Sequence, residues 1–467
     1  MRKICFLCLF ILSLWGCEPY TEIAFIDLEV NFTASSFLIQ EGGQVTFIPI
    51  TTEVAKKYFW DFNEANATSE EANPIYQYNR RGVYAVKLVS TKADNIRKDS
   101  ITKNVLVLPN TTSDEGFASE YGQEGVDEVG SAFIQTQSGY VIAARRGSRS
   151  LLILRMDNTG NVTAPPKSIN NLSESNAQLF PTAILNTSDR GLVVVGYYAY
   201  NTGDRDAFII KLDESGSEVW RRRRNTANDE RYVAVLEVNN QYFVAGTVVS
   251  EQSQIVLDQY SQEGVPEGST FFTGTTWAVQ DFKATTDGGY VMAANEGLNP
   301  FIIKLKPNLT IDWTRSIEAF RGVGLGVTQL ASNDFAFVGL ISTGTPDSTH
   351  AFAARVSDAG TLKWVRPFAM FHEYFSDVRE VGTDLLVLGS HDNPLSKSDV
   401  LLCRYNANTG NLTEDVILLG DTNNNQAYRM NLREDGTTVT LSCIGATQES
   451  PTGQRNVYLL KKEIEAP

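Results

Sequence analysis

The sequence predicts an all-β chain in two parts, a β-sandwich over residues 26–109 and a seven-unit repeat of four-stranded sheets over residues 110–467. Apolar and polar residues alternate at strand period through the first part. Through the second, a pair of strand signatures recurs at a near-constant interval, and the units between contain no helical period. The composition agrees. At 467 residues the chain is about three times a typical domain, and 24 Phe with 18 Tyr are too many aromatics for a disordered chain. A net charge of −15, from 40 Lys+Arg against 55 Asp+Glu, argues against nucleic acid or an anionic membrane surface as the main partner, because both need a basic face.

The chain opens with Arg2 and Lys3, followed by a 12-residue apolar run from Ile4 to Trp15. A bilayer core needs about 20 residues, so the run fits a secretory leader better than a span. Its end, Leu14-Trp15-Gly16-Cys17, resembles the lipobox of bacterial lipoproteins, with Trp15 where a small residue is usual. The resemblance implies a signal peptide over residues 1–17 and a diacylglyceryl group on the Cys17 thiol. Attachment would then be by a lipid anchor, in the cell envelope at the outer membrane, facing the cell surface or the periplasm. An ordinary signal peptide or short anchor is the alternative. Residues 18–25 form a tether. Beyond the leader only Cys403 and Cys443 remain, so this is no disulfide scaffold, and both thiols are expected to be buried and inert.

Strand-like segments follow the tether: Gln44-Val-Thr-Phe-Ile-Pro-Ile50, Gly82-Val-Tyr-Ala-Val-Lys-Leu-Val89 and Ser100-Ile-Thr-Lys-Asn-Val-Leu-Val-Leu108, separated by Gly-Gly and Asn-Pro turns. Within them, Tyr58-Phe-Trp60-Asp-Phe62, Asn73-Pro-Ile-Tyr-Gln-Tyr78 and Gly82-Val-Tyr84-Ala-Val-Lys-Leu88 follow one another as do W-D-F-G-D-G, N-P-x-H-x-Y and G-x-Y-x-V-x-L. The stretch therefore resembles the PKD domain, which implies an Ig-like sandwich used for spacing or for protein or glycan contact. Asn63-Glu64-Ala65 replaces the G-D-G turn, so the turn after the Trp60 strand must be built another way. Core packing is the expected role of Trp60, Tyr78 and Tyr84.

The repeat is read from two aligned strands. The first has the form G-Y-V-V-A-G, with its second residue at Tyr140, Leu192, Tyr242, Tyr290, Phe335, Leu385 and Thr438, at intervals of 45 to 53 residues. The second has the form D-A-F-I-I-K-L and carries Arg155, Lys211, Lys304, Arg355, Arg404 and Lys461 at one position in six of seven units. Asx-Gly turns such as Asp157 to Gly160, Asp213 to Gly216 and Asn406 to Gly410 come next, and in three units a short strand bears Trp220, Trp313 or Trp364. A four-stranded unit of about 50 residues cannot bury both faces unless neighbours stack on it, so seven units predict a seven-bladed β-propeller. The pattern resembles the D-G-G-Y-V-V-A-G propeller repeats of secreted and surface bacterial proteins. The seventh unit reaches residues 461–464 without an outer strand, and residues 117–122 are expected to close that last blade.

Catalytic signatures are absent: no P-loop, G-x-S-x-G, H-E-x-x-H, C-x-x-C or EF-hand loop occurs, and the histidines are His350, His372 and His391. No cofactor or metal is expected. The Asx-Gly turns read as ordinary strand connections rather than Ca²⁺ sites. Arg221 to Arg224 reads as a charged edge that blocks sheet-to-sheet pairing, with a polyanion contact as the alternative. Propellers usually bind ligands on the face holding the loops between second and third strands and between units. Here those loops carry Arg145, Arg146, Arg149, Tyr197, Tyr198, Tyr200, Trp277, His372 and His391, of which Arg146, Tyr198, Tyr200, Trp277, His372 and His391 are the candidate ligand contacts. The expectation is a monomeric envelope lipoprotein acting as a non-catalytic binding or scaffold module for a glycan or protein. The alternatives are a polysaccharide lyase or glycosidase at the channel mouth and an envelope assembly factor.

Overall fold

A computed structural model describes residues 30–40, 42–51, 57–64, 67–80, 82–91, 98–108, 116–170, 177–224, 226–274, 276–318, 320–342, 349–368, 373–392, 398–419, 424–435, 438–448 and 453–465. The chain is all-β, and no helix occurs among the described residues. The leader, Cys17, the tether and His372 lie outside them.

Residues 30–108 form two sheets. One holds Val30–Ala34, Gln44–Thr51 and Ile75–Gln77; the other runs in the order Leu38–Gln40, Lys98–Leu108, Gly82–Thr91, Lys57–Asp61, Thr68–Ser69. Strand alternation points Phe32, Phe47, Trp60 and Phe62 inward, where Phe32 meets Trp60 edge to face at 5.1 Å. After the Trp60 strand, Asn63 takes a left-handed backbone at φ 56° and the Asp61 carboxylate accepts its N–H at 2.9 Å. That Asx turn substitutes for the missing glycines.

From residue 116 onward the described residues form seven four-stranded antiparallel sheets, the first six each a meander from an inner to an outer strand. The first holds Glu128–Thr136, Gly139–Arg146, Ser150–Asp157 and Lys167–Asn170. The next five begin with inner strands Ala177–Asn186, Asp229–Val238, Trp277–Ala284, Arg321–Gln329 and Glu373–Val381. In the seventh, Asn424–Asp435, Thr438–Gln448 and Arg455–Glu465 take Gly116–Tyr121 as outer strand, registered from Val457 opposite Tyr121 to Lys462 opposite Gly116.

Hydrophobic clusters join neighbouring sheets. Val141 and Ile153 of the first meet Leu179 and Phe208 of the second, and so on around to Ile444 and Leu459 of the seventh, which meet Ile142 and Leu152 of the first. Tyr140 and Ser442 hydroxyls bond across that last contact at 2.9 Å. A second strand thus has neighbours on both faces. This is why Leu192 to Gly196 is buried without interruption, and why these segments read as continuous apolar runs instead of alternating ones. Each buried Val, Leu, Ile or Phe contributes about 1.5–3 kcal/mol.

The remaining repeat signatures are polar and aromatic ties. Lys211 is 3% exposed, and its Nζ donates to Thr187 Oγ1 and Asp189 Oδ1, both at 2.6 Å. Lys304 reaches Asp287 at 2.8 Å and Arg355 reaches Asp334 at 2.6 Å in the same way. A buried cation must be paired, so in these three sheets the base of the third strand comes with an acid in the hairpin between inner and second strands. Trp220, Trp313 and Trp364 donate their indole N–H to Gln262, Asp358 and Ala407 carbonyls of the following sheet at 2.9–3.0 Å. The Trp313 ring lies so close to Gly360 that a Cβ there would sit 2.8 Å from it, and φ at Gly360 is +77°. Glycine is required there twice over, by contact and by backbone.

Candidate functional site

Every inner strand breaks register at the same place. The breaks fall between Gly130 and Ala132, Pro181 and Ala183, Tyr232 and Ala234, Val279 and Asp281, Gly324 and Gly326, Phe375 and Asp377, and Ala427 and Arg429. A bulge of this kind leaves one residue out of the ladder and re-aims its side chain. The seven residues left out are Ser131, Thr182, Val233, Gln280, Leu325, Ser376 and Tyr428, and all seven line one cavity of about 450 Å³. The inner strands therefore converge on a single wall built from one bulge residue each. Val129, Arg145, Phe180, Pro181, Tyr374, Arg429 and Arg455 complete the lining, which holds no Asp, Glu or His among the described residues.

Bonds between adjacent inner strands hold this wall in shape. Thr182 Oγ1 donates to the Tyr232 carbonyl at 2.9 Å. Next to two of the bulges, buried carboxylates cap the following strand: Asp281 Oδ2 accepts the Val327 N–H at 3.2 Å, and Asp377 Oδ2 accepts the Met430 N–H at 3.0 Å. Burial pushes the Asp281 carboxyl up, yet the charges of Lys283, Arg429 and Arg379 and the Val327 N–H outweigh it and hold the group below the usual carboxylate range.

At one side of the cavity Asp127 bridges Arg145 at 2.8 Å and Arg455 at 2.6 Å. Burial opposes its ionisation, but the hydrogen bonds from Arg455 and the charges of Arg455 and Arg145 keep it below the ordinary carboxylate value. Burial and the Arg455 charge in turn lower the Arg145 guanidinium. Arg145 lies over the Phe180 ring at 5.2 Å, and Phe180 stacks on Tyr197 at 5.1 Å.

The sequence-derived contacts are not brought together. Tyr198 is 1% exposed, with its ring 4.9 Å from Phe208 in the layer between the first and second sheets. Tyr200 donates its hydroxyl to Asp206 at 2.8 Å. Trp277 packs at 4.9 Å from Phe301 between the third and fourth sheets. His391 is 6% exposed, with Nδ1 3.2 Å from Glu373 Oε1. Arg146 lies beside the cavity without lining it, its Nε 3.0 Å from Glu128 Oε1. For Tyr198, Tyr200 and His391 the reason is geometric: second-strand side chains point into the spaces between sheets, whereas Trp277 packs from the start of an inner strand. Of the described residues of the loop set, Arg145 alone lines the cavity.

The bulge residues escaped the sequence reading because they share no residue type. Their signal is positional, since each lies nine or ten residues ahead of the aligned second-strand position, as Ser131 before Tyr140 and Thr182 before Leu192. The Arg221 to Arg224 run lies on the outer edge strand of the second sheet, as expected, and its half-buried side chains are tied down there. Arg222 donates to the Gly264 carbonyl at 2.8 Å, Arg223 pairs with Asp206 at 3.3 Å and Arg224 with Asp258 at 2.7 Å. Cys403 and Cys443 are fully buried; burial drives both thiols up, that of Cys443 to about 12.

No protein-family model matches the chain, and no curated protein matches it. Among solved structures it is similar to the polysaccharide lyase Uly1, with a TM-score of 0.45 and 9% identity over 71% of this chain and 89% of that one. A protein of unknown function from Dyadobacter fermentans gives 0.45 and 13% over 75% and 99%. A quinoprotein alcohol dehydrogenase-like protein from Bacteroides thetaiotaomicron gives 0.36 and 13% over 82% and 93%. These activities belong to those proteins alone. What the fold itself defines is an all-β, propeller-like chain.

Proposed function

We propose that the chain is an envelope lipoprotein, anchored through Cys17, in which an Ig-like PKD-type spacer carries a closed seven-bladed β-propeller that binds a glycan or protein ligand without catalysis. The observation that carries the binding reading is the cavity into which all seven inner strands deliver one bulge residue. A wall that keeps one backbone geometry and varies its side chain seven times suits selective binding. Closure is supported by the Gly116–Tyr121 strand in the seventh sheet and by the contacts of that sheet with the first. The Ig-like reading is supported by the Tyr84 hydroxyl, which donates to the Arg80 carbonyl four residues upstream at 2.8 Å, as in a tyrosine corner.

The glycosidase alternative needs two facing carboxylates, and the cavity lining contains none among the described residues. The full chain, purified in detergent, tests the proposal on a glycan array and by capture from an envelope extract. A ligand should be retained by wild type and lost with Leu325→Arg, which puts a long charged side chain into the cavity wall, while Cys17→Ala should release the chain from membranes. Turnover of a polysaccharide would replace the proposal with the enzyme alternative. A ligand still held by Leu325→Arg would move the site elsewhere, as expected of an assembly factor that docks by its outer surface.

A further inference from the structure

We infer that the cavity takes a small organic anion, bearing a carboxylate, sulfate or phosphate on a body with an apolar face, and that Arg429 receives its charge. The inference rests on the reading of this cavity as the ligand site.

The charge balance comes first. The ionic side chains in the lining are Arg145, Arg429 and Arg455, and the carboxylate paired with them is Asp127, so three positive charges against one negative leave an excess of two. The neighbouring pairs Lys283 with Asp281, at 3.5 Å, and Arg379 with Asp377, at 2.5 Å, cancel internally. This cationic spot sits in a chain of net charge −15. Low-dielectric walls around it would focus its field on an entering anion.

Arg429 singles itself out by what it lacks. It is half-buried, yet it makes no hydrogen bond or ion pair among the described residues. The acid whose field it shares, Asp281, is already engaged by the N–H groups of Phe282 at 3.0 Å and Val327 at 3.2 Å. Withdrawing a guanidinium from water without a partner is unfavourable, and a carboxylate, sulfate or phosphate restores the loss through two parallel N–H···O bonds. The fold does not require an arginine there, because the equivalent positions hold Ala132, Ala183, Ala234, Asp281, Gly326 and Asp377. Val233, Leu325 and Phe180 give the same cavity apolar wall, which favours an organic body over a bare ion.

The test uses the full chain in detergent and a matched pair of probes, 4-nitrophenyl β-glucuronide and 4-nitrophenyl β-glucoside, which differ by one carboxylate. Calorimetry should show the glucuronide binding about tenfold or more tighter. The preference should shrink as NaCl rises from roughly 0.05 to 0.5 M and vanish in Arg429→Gln. If that variant melts lower, Arg429→Lys keeps the charge without the planar fork and should retain part of the preference. Inorganic sulfate and phosphate compete for the same site; weaker binding than the glucuronide marks an organic anion, and tighter binding marks a free ion and overturns the organic assignment. Equal binding of the two glycosides, a preference that survives Arg429→Gln, or no binding by any of the four probes overturns the inference. A neutral ligand lost with Leu325→Arg would leave the cavity as the ligand site and sink the anion assignment alone.

Discussion

The layers between sheets and the wall of the cavity are both sevenfold, but they repeat different things. Between sheets the side chains themselves recur: apolar second and third strands, and in three places each a base tied to a hairpin acid and a tryptophan on the next sheet's turn. Along the cavity only the backbone recurs. The bulge comes at the same place each time, while its residue changes through Ser, Thr, Val, Gln, Leu, Ser and Tyr. Interlocking sheets demand complementary volumes and therefore similar residues, whereas a residue aimed into an open cavity is released from that demand. On the function proposed above, stability would belong to the layers and selectivity to the wall.

The largest effect should come from removing the strand that completes the seventh sheet. A chain truncated to begin at Asp127 loses the Gly116–Tyr121 strand, whose ladder hydrogen bonds each contribute roughly 0.5–1.5 kcal/mol net, and exposes the edge of Arg455–Glu465. It should aggregate or melt well below a chain that begins at Asn110. Equal melting temperatures for the two would mean that the seventh sheet does not depend on its borrowed strand.

A single layer contact ranks next. Trp364 is 7% exposed, fills the space beside the following sheet and donates its indole N–H to Ala407 at 3.0 Å. Trp364→Ala should cost about 3–5 kcal/mol, read by thermal unfolding, with ligand affinity measured well below the melting point unchanged. A loss of affinity with little loss of stability would reverse the assignment of layers to folding and wall to function.

The hairpin acids give a smaller, pH-dependent effect. Burial alone would raise Asp189 and Asp287, but hydrogen bonds from Lys211 and Lys304 and from Thr187 and Thr285 bring each down to about 2. A carboxyl with its folded value depressed binds fewer protons folded than unfolded, where it titrates near 3.9. Its contribution is therefore complete above about pH 4 and disappears as pH falls towards 2. Both carboxylates are about half exposed, so each is worth less than its shift suggests. Asp189→Asn with Asp287→Asn should flatten the acid limb of stability between pH 4 and 2 by about 1 kcal/mol in total. An unchanged acid limb would show the basic side chains to be held by packing alone.

This division also explains what the sequence could reveal. Tyr140, Leu192, Tyr242 and Tyr290 align because each fills the equivalent place in the layer towards the preceding sheet, and Lys211 and Lys304 align because each needs an acid partner. The strand supplied by residues 116–121 was legible because the seventh unit visibly lacked one. Tyr198 and His391, by contrast, looked like site residues since aromatics and imidazoles often bind ligands, yet a second strand faces its neighbours and buries them. Arg429 and Arg455 were invisible for the opposite reason. Their importance comes from convergence of the first and seventh sheets on one cavity, a relation between residues some 300 positions apart that no local pattern encodes.

The smallest change in stability should accompany the sharpest test of the comparison, made on the bulge residues themselves. Among the described residues the Gln280 side chain makes no hydrogen bond, so Gln280→Ala should alter stability by less than about 0.5 kcal/mol. Thr182 sits at the equivalent position, but its one hydroxyl proton is shared between the Tyr232 carbonyl of the next inner strand at 2.9 Å and the Val195 carbonyl at 3.2 Å. Thr182→Val keeps the volume, removes both bonds and should cost about 1 kcal/mol. The two substitutions should act in the opposite order on binding, because Gln280 has its amide available to a ligand while the Thr182 hydroxyl is already committed to the strand beside it. Measured by melting and by titration with whichever ligand the array retains, Gln280→Ala should weaken affinity severalfold where Thr182→Val hardly changes it. If both variants moved stability and affinity in parallel, the wall would be one more packing layer, and the separation of folding from selectivity would fail.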